Sequence, residues 1–357
     1  MSATPNGSKN VGGVPPPRTA SAVELSLSRG EVTPPPTENR PAAPFTPRQR
    51  RQILLISLAA VALYAGLRAL PTGTNLHNQD FSVAGKGALE MCDPANPQFI
   101  PVVAVRSPVT LTLHAGAPAV AGRATRFTLT LMTSTGKPIA PVDLLEAHTR
   151  KLHLLIVDPT LRDYQHVHPE PGAQPGEWEF TLTPRLAGTY RVFADFTPAV
   201  TGRGLYASAD VEVERDLQAR SERVGDAALH PGNTGVIYTA WAAQVDGCQF
   251  HLKPAAEPIR AGQVTDLSFT VTRADGRPAA LEMVMGAYAH LVAFDSGRNG
   301  FAHLHPYPGT FTEPSAPAPA RLAFKVTIPQ PGPYVIWAQV KVAGREIFAP
   351  FWFDVVP

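Results

Sequence analysis

"HLLIVDPTLRDYQHVHP" (153–169) and "HLVAFDSGRNGFAHLHP" (290–306) share one spacing: His, twelve residues, His, one residue, His, Pro. Each segment runs out through a short apolar stretch and meets turn residues, around 158–163 in the first copy and 296–300 in the second. It then returns, which is the pattern of a β-hairpin. Centring the turns there sets His153 opposite His168 and His290 opposite His305. His166 and His303, two residues from those partners, point to the same face. Opposed side chains on such a pair have Cβ atoms roughly 5 Å apart, so three imidazoles gather on one patch of each hairpin.

Working outward, the same strand grammar fills the chain. "VTLTLHA" (109–115), "TRFTLTLMT" (125–133), "EWEFTLT" (177–183), "GTYRVFADF" (188–196) and "YASADVEV" (206–213) surround the first hairpin. Around the second lie "VIYTAWAAQV" (236–245), "CQFHLK" (248–253), "TDLSFTVTR" (265–273), "ARLAFKVTI" (320–328), "GPYVIWAQV" (332–340) and "IFAPFWFDV" (347–355). "AGRATRFTLTL" (121–131) repeats as "AGQVTDLSFTV" (261–271), and "GKPIA" (136–140) as "GRPAA" (276–280). The units are therefore a tandem duplication. Short strands separated by turn residues indicate all-β architecture, two tandem immunoglobulin-like β-sandwich domains at 103–214 and 234–357. Tyr190 and Tyr334, each two residues after a glycine, have the place of sandwich-corner tyrosines. Trp178, Trp241, Trp337 and Trp352 fall in strands and read as core or domain-contact residues.

The remaining segments differ in kind. Residues 1–52 form a Pro-rich tail, with ten prolines in the first 47 positions, and are expected to be disordered. The run "ILLISLAAVALYAGLRAL" (53–70) is expected to be a single transmembrane helix, an uncleaved anchor rather than a signal peptide. Arg48, Arg50 and Arg51 then place the N-terminus in the cytoplasm and both domains outside it. Residues 71–102 and 215–233 read as linkers, the second with a short helix.

Charge excludes one class of function. The chain has net charge +2, yet residues 1–52 hold seven Lys/Arg against three Glu, so the body is slightly acidic. With no basic stripe, nucleic-acid binding is not expected. Cys92 and Cys248 have no zinc-finger or CxxC spacing; pairing and separate thiols both remain open. No nucleophile elbow, phosphate loop or dinucleotide fingerprint occurs, so the expectation is a binding protein and not an enzyme, with a copper redox enzyme at an open three-histidine site as the lesser alternative.

The chemistry rests on His153, His166, His168, His290, His303 and His305 as metal ligands. Neutral imidazole suits copper, zinc and nickel; outside the cytoplasm copper is the leading ion and zinc the alternative. Additional ligands differ between copies: His148 and Asp195 in the first, Met285 in the second, with Met283 near and Gln339 standing where the first copy has Asp195. A thioether favours copper(I). The competing reading makes the histidines structural, in a cell-envelope interaction or scaffold protein. His77, His114, His230 and His251 are scattered and read as surface or packing residues.

"LHLLIVDPTLRDYQHVHP", "AGTYRVFADFTP" and "GAYAHLVAFDSGRNGFAHLHP" together resemble the bacterial exported tandem immunoglobulin-like proteins of the YtkA-like and FixH-like group. The resemblance covers roughly 103–357. It implies extracytoplasmic sandwiches with a role in copper or heavy-metal handling, and marks the six hairpin histidines as the family-like positions. Members of that group carry Met directly before the first histidine, where this chain has Leu152 and Ala289.

Overall fold

The computed structural model describes residues 45–69, 76–82, 98–216, 237–239, 241–307 and 320–357. Most of the Pro-rich tail, the helix expected in 215–233, His230 and Cys92 lie outside the described residues. Cys248 is a buried thiol.

The N-terminal helix spans Pro47–Ala69 and starts ahead of the expected position 53. Its local cause is a capping box: Gln49 N–H donates to Thr46 Oγ1 at 3.3 Å, and Thr46 N–H donates back to Gln49 Oε1 at 2.9 Å. Pro47 fits the first helical position, where no N–H is needed. The first turns are spent on Arg48, Arg50 and Arg51. Among the described residues no helix is long and apolar enough to cross a membrane.

The body from residue 70 onward is one compact unit, and nearly all of its regular structure is strand. In the first sandwich, one sheet joins Val109–Ala115, Thr125–Thr133, Glu177–Leu182 and Glu170–Pro171 in that order. The other runs Ala119–Val120, Leu205–Glu214, Gly188–Pro198, Leu152–Val157, Tyr164–Val167, with Leu144–Leu145 beside Gly188–Pro198. The second sandwich repeats the plan. Ile237–Thr239, Ala242–Val245, Cys248–Pro254, Val264–Arg273 and Ala320–Thr327 form one sheet. Ile259–Arg260, Arg345–Val356, Gly332–Val342, His290–Asp295 and Phe301–Leu304 form the other. The expected strand 236–245 is thus two strands that pair with each other.

Alternation sets the cores. Thr125–Thr133 buries every second side chain, including Phe127, Leu129 and Leu131. Both corner tyrosines reach back four residues: Leu186 N–H donates to the Tyr190 hydroxyl at 3.0 Å, and the Tyr334 hydroxyl donates to Gln330 O at 3.1 Å.

The strand Leu152–Val157 is buried at all six positions, unlike a strand with one wet face. Leu154 and Ile156 belong to the first sandwich's core. Leu155 and Val157 belong to a third cluster, with Tyr164, Phe193 and Tyr206 from the first sandwich and Val292, Phe294, Phe301, Val335 and Trp337 from the second. The two hairpin-bearing sheets therefore pack face to face. Ile100 and Val102, expected in a linker, lie in this same cluster, and Ile100 pairs with Phe301. Upstream, Leu76 and Phe81 pack into the first sandwich and Phe99 into the second.

Candidate metal centre

Each hairpin is closed by an aspartate that gathers the amides of its own turn. Asp158 Oδ1 accepts from the N–H groups of Arg162 at 2.6 Å and Asp163 at 2.8 Å, and Oδ2 accepts from Thr160 N–H at 2.8 Å. Asp295 does the same for Asn299 N–H at 2.7 Å and Gly300 N–H at 3.2 Å. Such side-chain caps fix where the strands turn and hence their register. Leu154 pairs with Val167 and Leu155 with His166; Leu291 pairs with Leu304 and Val292 with His303. This is the register expected from the sequence, and it puts all three histidines of each hairpin on the face turned toward the other sandwich.

The ligand-type nitrogens of His153, His166 and His168 lie within 4.8 Å of one another, as do those of His290, His303 and His305. Four of the six rings are buried: His153, His166, His290 and His303. His168 and His305 are partly exposed.

The hydrogen bonds fix which nitrogen is protonated in four of the rings, His153, His166, His290 and His303. His153 Nε2–H donates to Ala147 O at 3.0 Å, and His290 Nε2–H donates to Val284 O at 2.9 Å, because a carbonyl only accepts. Gln339 Nε2 donates to Glu346 at 2.7 Å, which turns the amide oxygen to His166 Nδ1 at 2.9 Å. His303 Nδ1–H donates to Asp195 Oδ2 at 3.1 Å. The lone pairs left over are His153 Nδ1, His166 Nε2, His290 Nδ1 and His303 Nε2, all aimed into the clusters. His153 Nδ1 and His166 Nε2 face each other at 3.2 Å as two acceptors. The nitrogens of His290, His303 and His305 that face inward, and His168 Nε2, are buried with no protein partner. Outer hydrogen bonds that orient imidazoles and set their tautomers are what a metal-ligating histidine needs.

Burial keeps the rings neutral. It holds His166, His303 and His305 well below the usual histidine range, with neighbouring imidazoles adding to the effect. His290 falls to about 4 and His168 to about 3, burial again being the main cause. Asp195 is pushed up by burial, against the pull of His153 and His148. A soft or borderline cation offers a way to satisfy these four inward lone pairs without protonating them.

The additional ligands fall differently from expectation. Asp195 was expected beside the first cluster. It is the cross-strand neighbour of His153, yet its carboxylate bonds His303 of the second. Gln339, the neighbour of His290, bonds His166 of the first. His148 likewise stacks on His305 of the second cluster, with ring centroids 3.6 Å apart. The reason is the face-to-face packing of the sheets, which sets each hairpin closer to the other domain's polar side chains. Met285 sits in a tight turn matching that of His148, with φ +51° against +50°. Met283 is exposed. His77, His114 and His251 are exposed and stand outside both clusters. Sequence reasoning missed Ala147 and Val284, whose carbonyls each stand six residues before the histidine they orient; a backbone acceptor leaves no mark in composition.

Among curated proteins, no sequence matches this chain. The fold has distant likenesses among solved structures. The Escherichia coli adhesin FdeC is 15% identical at a TM-score of 0.20, over 69% of this chain and 64% of that one. A putative membrane-anchored protein from Corynebacterium diphtheriae is 11% identical at 0.20, over 69% and 59%. A DUF4785 family protein from Legionella pneumophila is 12% identical at 0.23, over 70% and 48%. The chain thus spans less than two thirds of the length of each. The profile of the family described as Domain of unknown function (DUF8832) matches twice, at 104–215 and 243–356, one match to each sandwich. The chain belongs to the DUF8832 family, and carries its domain as a tandem pair of immunoglobulin-like sandwiches.

Proposed function

We propose that this is a membrane-anchored, extracytoplasmic metal-binding protein, with copper its preferred ion and zinc the alternative, serving metal handling or resistance. The observation that supports the reading best is the pair of nitrogen lone pairs on His153 and His166, facing each other at 3.2 Å with both opposite nitrogens committed elsewhere. Two acceptors at that distance repel unless a cation lies between or beside them. In the second cluster His290 Nδ1 and His303 Nε2 are likewise left as lone pairs, buried with no hydrogen-bond partner. Imidazole donors suit copper and zinc; the hard oxygen cages of calcium or magnesium are a different chemistry.

For the membrane anchor, the support is the apolar run in the sequence at 53–70, whose Ile53, Leu54, Leu55, Ile56, Leu58, Val61, Leu63 and Tyr64 are exposed on the Pro47–Ala69 helix. Arg48, Arg50 and Arg51 at its start favour a cytoplasmic N-terminus. The resemblance to the YtkA-like and FixH-like group points the same way, toward exported proteins that handle metals.

The test is the metal content of full-length protein purified in detergent without a His tag, with melting curves before and after chelation. Stoichiometric copper or zinc and a lower Tm after chelation are expected. A metal-free protein that takes up neither ion on titration, and whose Tm ignores chelators, would return the histidines to a purely structural role in an envelope scaffold.

A further inference from the structure

The two histidine clusters do not stand apart. Ring centroids within the first cluster are separated by 4.7–5.4 Å, and within the second by 4.6–5.6 Å. Between clusters, His166 lies 5.3 Å from His303 and 6.2 Å from His290, and His153 lies 5.9 Å from His303. The gap across the domain interface is hardly wider than the gap between neighbours on one hairpin. We propose, resting on the metal-binding reading above, that the six histidines form one binuclear centre spanning both sandwiches and taking two copper(I) ions.

Three observations carry this beyond two independent sites. The first is the ring spacing. The second is that the orienting groups are exchanged: His166 of the first sandwich is set by Gln339 of the second, and His303 of the second by Asp195 of the first. Each cluster is thus organised only when the two sheets are docked. The third is charge. Asp195 is the one carboxylate that bonds a ligand-type histidine among the described residues. Two divalent ions beside one carboxylate would leave about three uncompensated positive charges in an apolar interface, whereas two monovalent ions leave about one. Imidazole donors accept copper in either state, and the low charge allowance favours the monovalent ion.

The mouth of the centre is defined by two turns. His148 is exposed and stacks on the partly exposed His305. It lies 6.0 Å from His290 and 6.4 Å from His153, so it touches both halves. On the opposing turn is Met285, whose neighbour Gly286 approaches Thr149; a Cβ there would lie 3.9 Å from Thr149 Cγ2. An imidazole and a thioether at the rim are suited to passing copper(I) inward by ligand exchange.

The experiment uses the full-length chain in detergent. Copper(I), held by a chromophoric competitor under anaerobic conditions, is titrated to saturation; about two ions per chain are expected, and one ion overturns the binuclear centre. His168→Asn and His305→Asn are the variants of choice, because each removes an unpartnered nitrogen and orphans no other group; each is expected to halve the copper bound. Proximity is read separately from the stepwise copper(I) affinities. Repulsion between two cations in one interface is expected to make the second ion bind more weakly than the first, and two ions that bind independently with equal affinity overturn the shared centre while leaving metal binding intact. Zinc is expected to bind at no more than about one ion per chain, and two zinc ions would overturn the charge argument. Failure to bind either copper(I) or zinc removes the metal-binding reading itself.

Discussion

Replacing Phe301 with alanine tests the face-to-face docking directly. The ring is wholly buried, 5.3 Å from Phe193 and 5.5 Å from Tyr206, both of the opposite sandwich. Its backbone accepts from Ile100 N–H at 2.7 Å and donates to Ile100 O at 3.1 Å, so the segment is pinned and has little freedom to collapse into a void. A truncation of this kind costs about 3–5 kcal/mol in a core that relaxes poorly. Each lost aromatic pair accounts for about 0.5–1.5 kcal/mol within that range. For a body of this size the loss corresponds to a fall of about 6–20 °C in Tm. Calorimetry is the assay, with Phe324→Ala as the matched control, since Phe324 is equally buried but belongs to the second sandwich's own core. Phe301→Ala is expected to split a single transition into two as the sandwiches uncouple, whereas the control lowers Tm without that splitting. A single transition with a loss below about 1 kcal/mol would show that the shared cluster does not hold the sandwiches together.

Three further outcomes follow from the same geometry. Metal-free protein is expected to lose stability as pH falls from about 6.5 toward 4. The unfolded chain binds protons in that window while the buried histidines do not, and His290, with a folded pKa of about 4, alone contributes a loss of about 2 kcal/mol by pH 5. Asp143, Asp163 and Asp195, raised by burial, oppose this, so the comparison is with His290→Asn: its urea midpoint is expected to fall less than the wild type's between pH 7 and 5, and an equal fall would contradict the histidine argument. Asp195→Ala is expected to weaken copper binding about 10- to 100-fold by freeing His303 Nδ1, while Asp210→Ala, at the surface pair with Arg191, leaves it unchanged. Equal copper affinity in both variants would remove Asp195 from the site. Gly300→Ala is expected to cost several kcal/mol, because its Cβ would meet Ile100 O at 1.9 Å; near-wild-type urea stability would mean that the 98–102 segment yields easily.

Much of this architecture was legible because β-structure with buried faces writes its register into sequence. Asp158 and Asp295 mark the turns, and with the turns placed, the convergence of His153, His166 and His168 follows from period two alone. The strands Val109–Ala115 and Thr125–Thr133 were readable to the residue, since alternation ends where the turn residues begin. What was not legible is the meeting of the two clusters. The uninterrupted apolar run Leu154–Val157 indicates a strand covered on both faces, but not what covers it. The cover proved to be the other copy, and with it came the exchange of Asp195 and Gln339. Residues 98–102 were unreadable for a related reason: a single extended segment pinned by Phe301 has no period to detect. The helix start was missed because the Thr46 and Gln49 cap lies inside a stretch that composition alone marks as tail.

The exchanged hydrogen bonds also say something about why the two modules share one chain. A dimer of identical modules is bound by its two-fold axis: whatever stands at the Asp195 position must stand at the Gln339 position too. Such a dimer would place either two buried carboxylates or none beside the histidines, and the same side chain at both rim turns. Covalent tandem linkage lifts that constraint. Here one position has become Asp and its counterpart Gln, and one rim turn carries His148 where the other carries Met285. The fused pair can therefore hold a polarity, an anionic side and a neutral side, that no symmetric assembly of either half alone is able to encode.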